Sequence, residues 1–314
     1  MSAETNISWC DSTFNPWIGC TRVSPGCDNC YAARSTPART MGIEWGPGSS
    51  RKRTGPTNWA QPRRWEAAHQ AFFAQHGRRR RVFCASLADV FDNEVPAKWR
   101  ADLFELIEST PHLDWLLLTK RIGNVHRMMV DVGYSLFWMD RLDTCEMPPN
   151  VWLGISVVNQ AEADRDISKL LAVPASVRFL SCEPLLGPVT LGPAWLKQGR
   201  TGVSGIDWVI VGGESGPKAR PMLPSWASSL RDQCAAATVP FLFKQWGEWI
   251  SMCQDEFPDT PPPARLMWAD GQPFGVEDGQ RAVRLLCRAG TAVTGDLLDG
   301  VEHKAWPQTA GGAE

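Results

Sequence analysis

The chain has 314 residues, 43% of them hydrophobic and 21% charged, with a formal net charge of −2. That length can bury a substantial core as one large α/β domain or two smaller ones, and the near-neutral balance excludes a globally basic nucleic-acid binder. The start, Met1–Asn6, is polar with no apolar leader, and no run is apolar enough to span a membrane, so the reading is a cytoplasmic protein with reduced thiols.

In chain order, Ile7-Ser8-Trp9 reads as a short first strand. A compact loop follows with three cysteines, Cys20, Cys27 and Cys30. Six residues separate the first two, including the turn signal Ser24-Pro25-Gly26, and the last two form a C-x-x-C pair. Tyr31-Ala32-Ala33-Arg34 starts a helix that ends before Gly42. Residues 43–60 read as a long Gly/Pro-rich loop, and a helix is expected at Arg63–Gln75, stopped by Gly77.

An alternation of apolar runs and helical spacings then begins. Strands are expected at Arg81–Ser86, Asp114–Thr119, Val151–Ser156, Val177–Ser181, Asp207–Val211 and Pro240–Lys244. Helices are expected at Pro96–Ser109, Asn124–Val132, Gln160–Leu171 and Ser225–Ala236. Short, near-continuous apolar strands separated by helices are the pattern of a parallel sheet covered by helices. The expected class is α/β, a partial (β/α) barrel of parallel strands or else an open doubly wound sheet. We place the barrel at residues 1–246 and a small irregular C-terminal cap at 247–314.

Every strand ends in a polar residue: Asp89, Lys120, Ser156, Glu183, Glu214 and Lys244. Ligands sit at such ends in both architectures. Gly212–Gly216 does not have the spacing of a dinucleotide fingerprint. The basic runs Arg51–Arg53, Arg63-Arg64 and Arg78–Arg81 read either as solvated faces or as contacts to a phosphate backbone. The other seven cysteines are scattered and read as small buried hydrophobes.

Three chemistries compete for the cysteine loop. A structural zinc would want a fourth ligand, from Cys10, Cys182 or a distant His. A redox C-x-x-C pair leaves the third thiol unexplained. A [4Fe–4S] cluster held by three thiolates would keep one iron open for a small molecule.

The string Asn15-Pro16-Trp17-Ile18-Gly19-Cys20, with Cys27-Asp28-Asn29-Cys30-Tyr31 after it, resembles the cluster loop of radical SAM proteins of the spore photoproduct lyase type, which have a shorter first cysteine gap. The whole chain resembles a phage- and mobile-element-associated three-cysteine-motif family. The resemblance covers Trp9–Ala32, Val82–Phe91, Leu116–Arg121, Asn150–Val157, Arg178–Pro188, Trp208–Met222 and Phe241–Gly247. In the tail, Gly295-Asp296 stands where that family tends to have Gly-Arg.

The resemblance implies Cys20, Cys27 and Cys30 as ligands of a [4Fe–4S] cluster, S-adenosylmethionine on the open iron, and an external electron donor. It implies Asp89, or Ser86 beside it, at the cofactor's amine, and Lys120 or Arg165 at its carboxylate. Ser156 would meet the ribose, and Gly212, Gly213 and Glu214 the adenine. Glu183 and Lys244 would face the substrate, a nucleic acid or nucleotide to be modified or repaired. The rival reading is a zinc-stabilised phage accessory or nucleic-acid adaptor without chemistry.

Overall fold

The structure is a computed structural model. It describes residue 5 and residues 7–196, 205–251, 264–268 and 283–308. Most of the polar start and much of 251–290 lie outside the described residues.

The first strand is β1 (Ser12–Phe14), not Ile7–Trp9. Cys10 N–H donates to the Ile7 carbonyl and closes a turn there. The ladder opens instead where Asp11 N–H meets the Arg81 carbonyl and Asp11 Oδ2 accepts from Arg81 N–H. The pair β2 (Trp17–Ile18) and β3 (Lys52–Arg53) is antiparallel and brackets the cysteine loop. Within it the expected helix breaks into a 3₁₀ turn at Tyr31–Arg34 and α1 (Thr36–Thr40), because Ser35 is extended and caps Ala38 N–H. The stretch 43–60, expected as loop, ends in a one-turn helix α2 (Pro56–Trp59), and the helix expected at 63–75 is two short ones, α3 (Gln61–Ala67) and α4 (His69–His76). Gly77 in the left-handed region ends the last.

Strands and helices then alternate: β4 (Arg80–Cys84), α5 (Ala97–Glu108), β5 (Leu113–Thr119), α6 (Ile122–Leu136), β6 (Val151–Ser156), α7 (Gln160–Leu171) and β7 (Val177–Cys182). They continue as β8 (Trp208–Gly212), α8 (Pro224–Ala236) and β9 (Phe241–Gln245). All six residues of β6 are buried, as an apolar run covered on both faces requires. In α6, Ile122, Val125, Met129 and Val132 recur at three- and four-residue spacing and are all buried.

The seven strands form one sheet in the order β1-β4-β5-β6-β7-β8-β9. The ladders β1/β4, β4/β5, β5/β6 and β8/β9 are parallel. Sequence order is kept across the sheet, the winding of a (β/α) barrel, without the reversal of a doubly wound sheet. The fold class is therefore the partial barrel, open at β1 and β9. The C-terminal region is more regular than expected. A three-stranded antiparallel sheet joins β10 (Trp249–Ser251), β11 (Ala264–Trp268) and β12 (Val283–Arg288). The short helix α9 (Thr291–Thr294) precedes a hairpin of β13 (Leu297–Leu298) and β14 (Val301–Glu302).

The chain divides into two compact units. The first comprises Met1–Ser156, Asp166–Phe179 and Pro307–Glu314; the second comprises Val157–Arg165 and Leu180–Trp306. No helix among the described residues is long and apolar enough to cross a membrane.

Candidate metal centre and strand-end sites

The cysteine loop is fastened at both ends. Asn15 side-chain Oδ1 accepts from Leu87 N–H at 2.7 Å, and Gly19 N–H donates to the Leu87 carbonyl. Gly19 has φ +115°, and a Cβ there would stand 3.1 Å from Arg51 Cδ, so glycine is required just before Cys20. The gap to Cys27 is filled by a capped turn. Ser24 Oγ accepts from Gly26 N–H, and Cys27 N–H donates to the Ser24 carbonyl. Cys30 N–H then donates to the Cys27 carbonyl, and Tyr31 hydroxyl donates to the Ser86 carbonyl at 2.9 Å. The gap thus closes in a capped 3₁₀ turn at Pro25–Cys27.

Nine described cysteines are free thiols. Cys10, Cys84, Cys145, Cys182, Cys234 and Cys287 are buried, as expected; Cys20, Cys27 and Cys30 are the three that are not. Cys253 lies outside the described residues.

Beside Cys20 the ends of β4 and β5 build a charged network. Asp89 Oδ1 accepts from Thr119 Oγ1 at 2.8 Å and from Phe91 N–H at 2.9 Å. Asp89 Oδ2 accepts from Lys120 N–H and from Arg121 Nη1, each at 3.0 Å. Arg121 also donates through Nη1 to Cys20 Sγ at 3.4 Å and through Nη2 to the Thr21 carbonyl at 2.6 Å. Burial, with help from Asp89, pushes the Cys20 thiol up to about 12, although Arg121 pulls the other way. Burial likewise opposes the charge on Arg121, but Asp89, Cys20 and Asp92 more than offset it and hold the guanidinium charged. Below this lies Arg51, fully buried, paired with Asp92 at 2.8 Å and Glu94 at 2.5 Å and donating to Thr21 Oγ1.

The predicted residues of this unit therefore fall into three local pairings. Asp89 is joined through Arg121 to Cys20. Lys120 Nζ donates to Ser156 Oγ at 2.9 Å, and Ser86 Oγ accepts from Asn15 Nδ2 at 3.0 Å. Arg121, Arg51, Asp92 and Asn15 were missed as site residues. A signal for Arg121 existed in its place at a strand end beside Lys120, and one for Asp92 in the Asp89–Asp92 run.

Several arginines of the runs Arg51–Arg53 and Arg78–Arg81 are engaged by the chain itself, whereas Arg63 and Arg64 are exposed on α3. Arg53 pairs with Asp102 and lies 4.2 Å over the Trp59 ring. Arg78 binds both carboxylate oxygens of Asp11, at 2.7 and 2.8 Å. Arg80 lies 4.2 Å over Phe72, and Arg81 is buried over Trp152.

Among the described residues one trio of Cys, His, Asp or Glu brings its ligand atoms within 4.8 Å of one another, and it is Glu66, His69 and His112 rather than the cysteines. The two imidazoles stack face to face, 3.9 Å apart at 10°. Their in-plane lone pairs run parallel instead of meeting at a point, so the trio packs as a hydrogen-bonded cluster with Glu66.

In the second unit, Lys244 Nζ donates to Glu183 Oε1 at 2.5 Å at the ends of β9 and β7. Glu214 is gripped by Arg220, whose Nε and backbone N–H reach Oε2 and whose Nη2 reaches Oε1 at 2.6 Å. A Cβ on Gly213 would stand 1.8 Å from the Trp246 carbonyl oxygen, so the space left by that glycine is filled by backbone. A Cβ on Gly212 would meet the Glu183 side chain at 3.3 Å. Arg165 lies on α7, half-exposed, 3.8 Å from Glu162.

The chain belongs to a family described as protein of unknown function (DUF5131), which matches residues 4–307. No curated protein and no solved structure matches it.

Proposed function

We propose that the chain is an iron–sulfur enzyme of the radical SAM type, holding a [4Fe–4S] cluster on Cys20, Cys27 and Cys30. S-adenosylmethionine is its co-substrate and a nucleic acid or nucleotide its substrate. The observation that carries this is the selective accessibility of the three motif thiols while the other described cysteines are buried. The donor set fits the group: three free thiols on one ordered loop, one of them facing a fixed guanidinium. Sulfurs that share one zinc, each about 2.3 Å from it, stand about 3.8 Å apart. The three thiols are not drawn together within 4.8 Å. Ligands of a cubane each bind a different iron and need no such convergence.

When bound, a cluster with one open iron supplies the electron that breaks the sulfonium of S-adenosylmethionine, after reduction by an external donor. The protein's residues hold and orient. Arg121 donates to the Cys20 sulfur, which favours thiolate over thiol. Asp89 has both carboxylate oxygens occupied by four donors, so its role is to fix Arg121 and the end of β5. Lys120, held on Ser156, offers the cation for the cofactor's carboxylate, with Ser156 for a ribose hydroxyl. On the resemblance alone, the same reading assigns adenine to Gly212, Gly213 and Glu214, and substrate to Glu183 and Lys244.

The test is anaerobic purification followed by iron, sulfide and zinc analysis and assay of reductive S-adenosylmethionine cleavage. A brown protein with about four irons per chain that forms 5′-deoxyadenosine on reduction supports the proposal. A colourless protein with one tight zinc and no cleavage overturns it.

A further inference from the structure

We propose that the segment Cys20–Arg53 presents a cationic surface for a single-stranded nucleic acid, with Arg22, Arg34, Arg39 and Lys52 as its phosphate contacts. As the substrate surface of the cysteine loop this rests on the function proposed above; as a binding surface it does not depend on iron.

The charge is unevenly distributed. The segment holds six Lys/Arg and two Asp/Glu, a net of +4, in a chain of net −2, so the rest of the chain sums to −6. Two of the six, Arg51 and Arg53, are neutralised by Asp92 with Glu94 and by Asp102. The other four are exposed. Among the described residues none of these four has a carboxylate within ion-pair distance, whereas Arg78 is bound by Asp11 and Arg121 by Asp89.

Their placement follows the loop. Arg22 stands two residues after Cys20, and Arg34 ends the turn that follows Cys30. Arg39 is on α1, and Lys52 Nζ reaches the Met41 carbonyl at the end of that helix. Beside α1 runs a groove of about 330 Å³ lined by Ile18, Thr36, Thr40, Met41, Thr54 and Asn58. Its wall is mainly apolar, as the face of a base requires, and Lys52 Nζ donates to the carbonyl of Met41 in that wall. Tyr31 adds an exposed ring next to Cys30, its hydroxyl anchored on Ser86. A ring held in place beside a row of cations is how unpaired bases are stacked while phosphates are neutralised. A duplex would instead be read by a helix or a two-stranded ribbon laid in its major groove; the one α-helix of this segment has only five residues, and the β2–β3 pair has two residues per strand.

The experiment uses metal-free full-length chain and a fluorescein-labelled single-stranded oligonucleotide of mixed sequence, titrated from low to moderate salt. Four contacts at about −0.7 each predict a slope of about −3 in log affinity against log salt. Charge reversal of Arg22, Arg34, Arg39 and Lys52 together should cost at least tenfold in affinity, with circular dichroism unchanged. Tyr31→Ala should weaken binding severalfold without altering the slope. Reversing Arg63 and Arg64, exposed on α3, should change little. No binding at low salt, equal loss in the Arg63/Arg64 control, or preferential binding of phosphatidylserine vesicles over the oligonucleotide would each overturn the proposal. Iron content is measured on a portion of each protein after anaerobic reconstitution with iron and sulfide. Intact oligonucleotide binding with no iron overturns the enzymatic reading and leaves this one standing; iron without binding does the reverse.

Discussion

Arg121 and Cys20 lie 101 residues apart in the chain, and the guanidinium donates to the sulfur at 3.4 Å. The same side chain reaches the Thr21 carbonyl and Asp89, so one residue at the end of β5 ties the cysteine loop to the sheet. Cys20 is the most confined of the three motif thiols: burial drives its pKa up to about 12, and Arg121 is the neighbour that resists this.

This arrangement predicts two separable losses. The Arg121–Asp89 pair is almost fully buried, and removing one partner of such a pair costs about 3–5 kcal/mol. Arg121→Leu should therefore lower unfolding free energy by about that amount in urea. Arg121→Lys keeps the charge but loses the fork that spans Cys20, Thr21 and Asp89. It should recover part of the stability while reconstituting less iron than the unsubstituted chain. Unchanged stability in Arg121→Leu would sink the account of Arg121 as a brace.

Thiol reactivity separates the motif cysteines from the rest. Alkylation of metal-free native protein, read by mass spectrometry, should label Cys27 and Cys30 first, then Cys20 more slowly because its thiolate is scarce. Cys84 and Cys182 sit in β4 and β7 with no exposure, and burial raises both thiols further. They should react only after unfolding. Iron loading should protect the motif trio. Labelling of Cys84 at the rate of Cys27 would contradict the burial on which the functional proposal rests.

What could be read from the sequence divides along physical lines. The strands β5, β6 and β8 announce themselves because each is a continuous apolar run. The polar residues at strand ends and the three cysteines stand out by residue type. β1 does not, because Ser12-Thr13-Phe14 is a three-residue edge strand with a single large apolar side chain. Its place depends on Asp11 meeting Arg78, which precedes β4, and Arg81 in β4. Arg51 looked like part of a basic run because its partners, Asp92 and Glu94, come from beyond β4. Asn15 was hidden for the same reason, its partner Leu87 lying far along the chain, whereas Arg121 stood beside Lys120 at a strand end and only its partner, Cys20, was out of local view. The break of the expected 63–75 helix at Ala68 lies between Glu66 and His69, which both meet His112 from beyond α5, and nothing in the residue types there marks it.

The two glycines at the end of β8, Gly212 and the next residue Gly213, should respond very unequally. Gly213→Ala drives a Cβ to 1.8 Å from the Trp246 carbonyl oxygen, a backbone atom that cannot swing aside. The loss should exceed about 4 kcal/mol, seen as insoluble protein or a collapsed thermal transition. Gly212→Ala meets only the flexible Glu183 side chain at 3.3 Å. It should fold with about 1 kcal/mol lost or less, while disturbing the Glu183–Lys244 pair. Equal tolerance of both substitutions would refute the close approach of Trp246–Gly247 to Gly213.

Asp114 in β5 sets a pH dependence of stability. It is buried, and burial raises its pKa to about 6 even though Arg79, Arg81 and Arg78 pull it down. Unfolded, it titrates near the ordinary value of 3.8. A carboxyl whose folded pKa is raised binds its proton more tightly in the folded state. Its contribution is therefore fully present below about pH 4 and is lost as pH rises through about 6. The gap between 3.8 and about 6, at 1.36 kcal/mol per pH unit, corresponds to about 3 kcal/mol. Asp114→Asn keeps the shape and removes the titration. The variant should match the parent below about pH 4, gain on it through the interval, and exceed it by up to about 3 kcal/mol at pH 7 in urea unfolding. A difference independent of pH would show that the folded protein does not hold Asp114 as the acid. A parent that gains on the variant as pH rises would mean the neighbouring arginines outweigh burial.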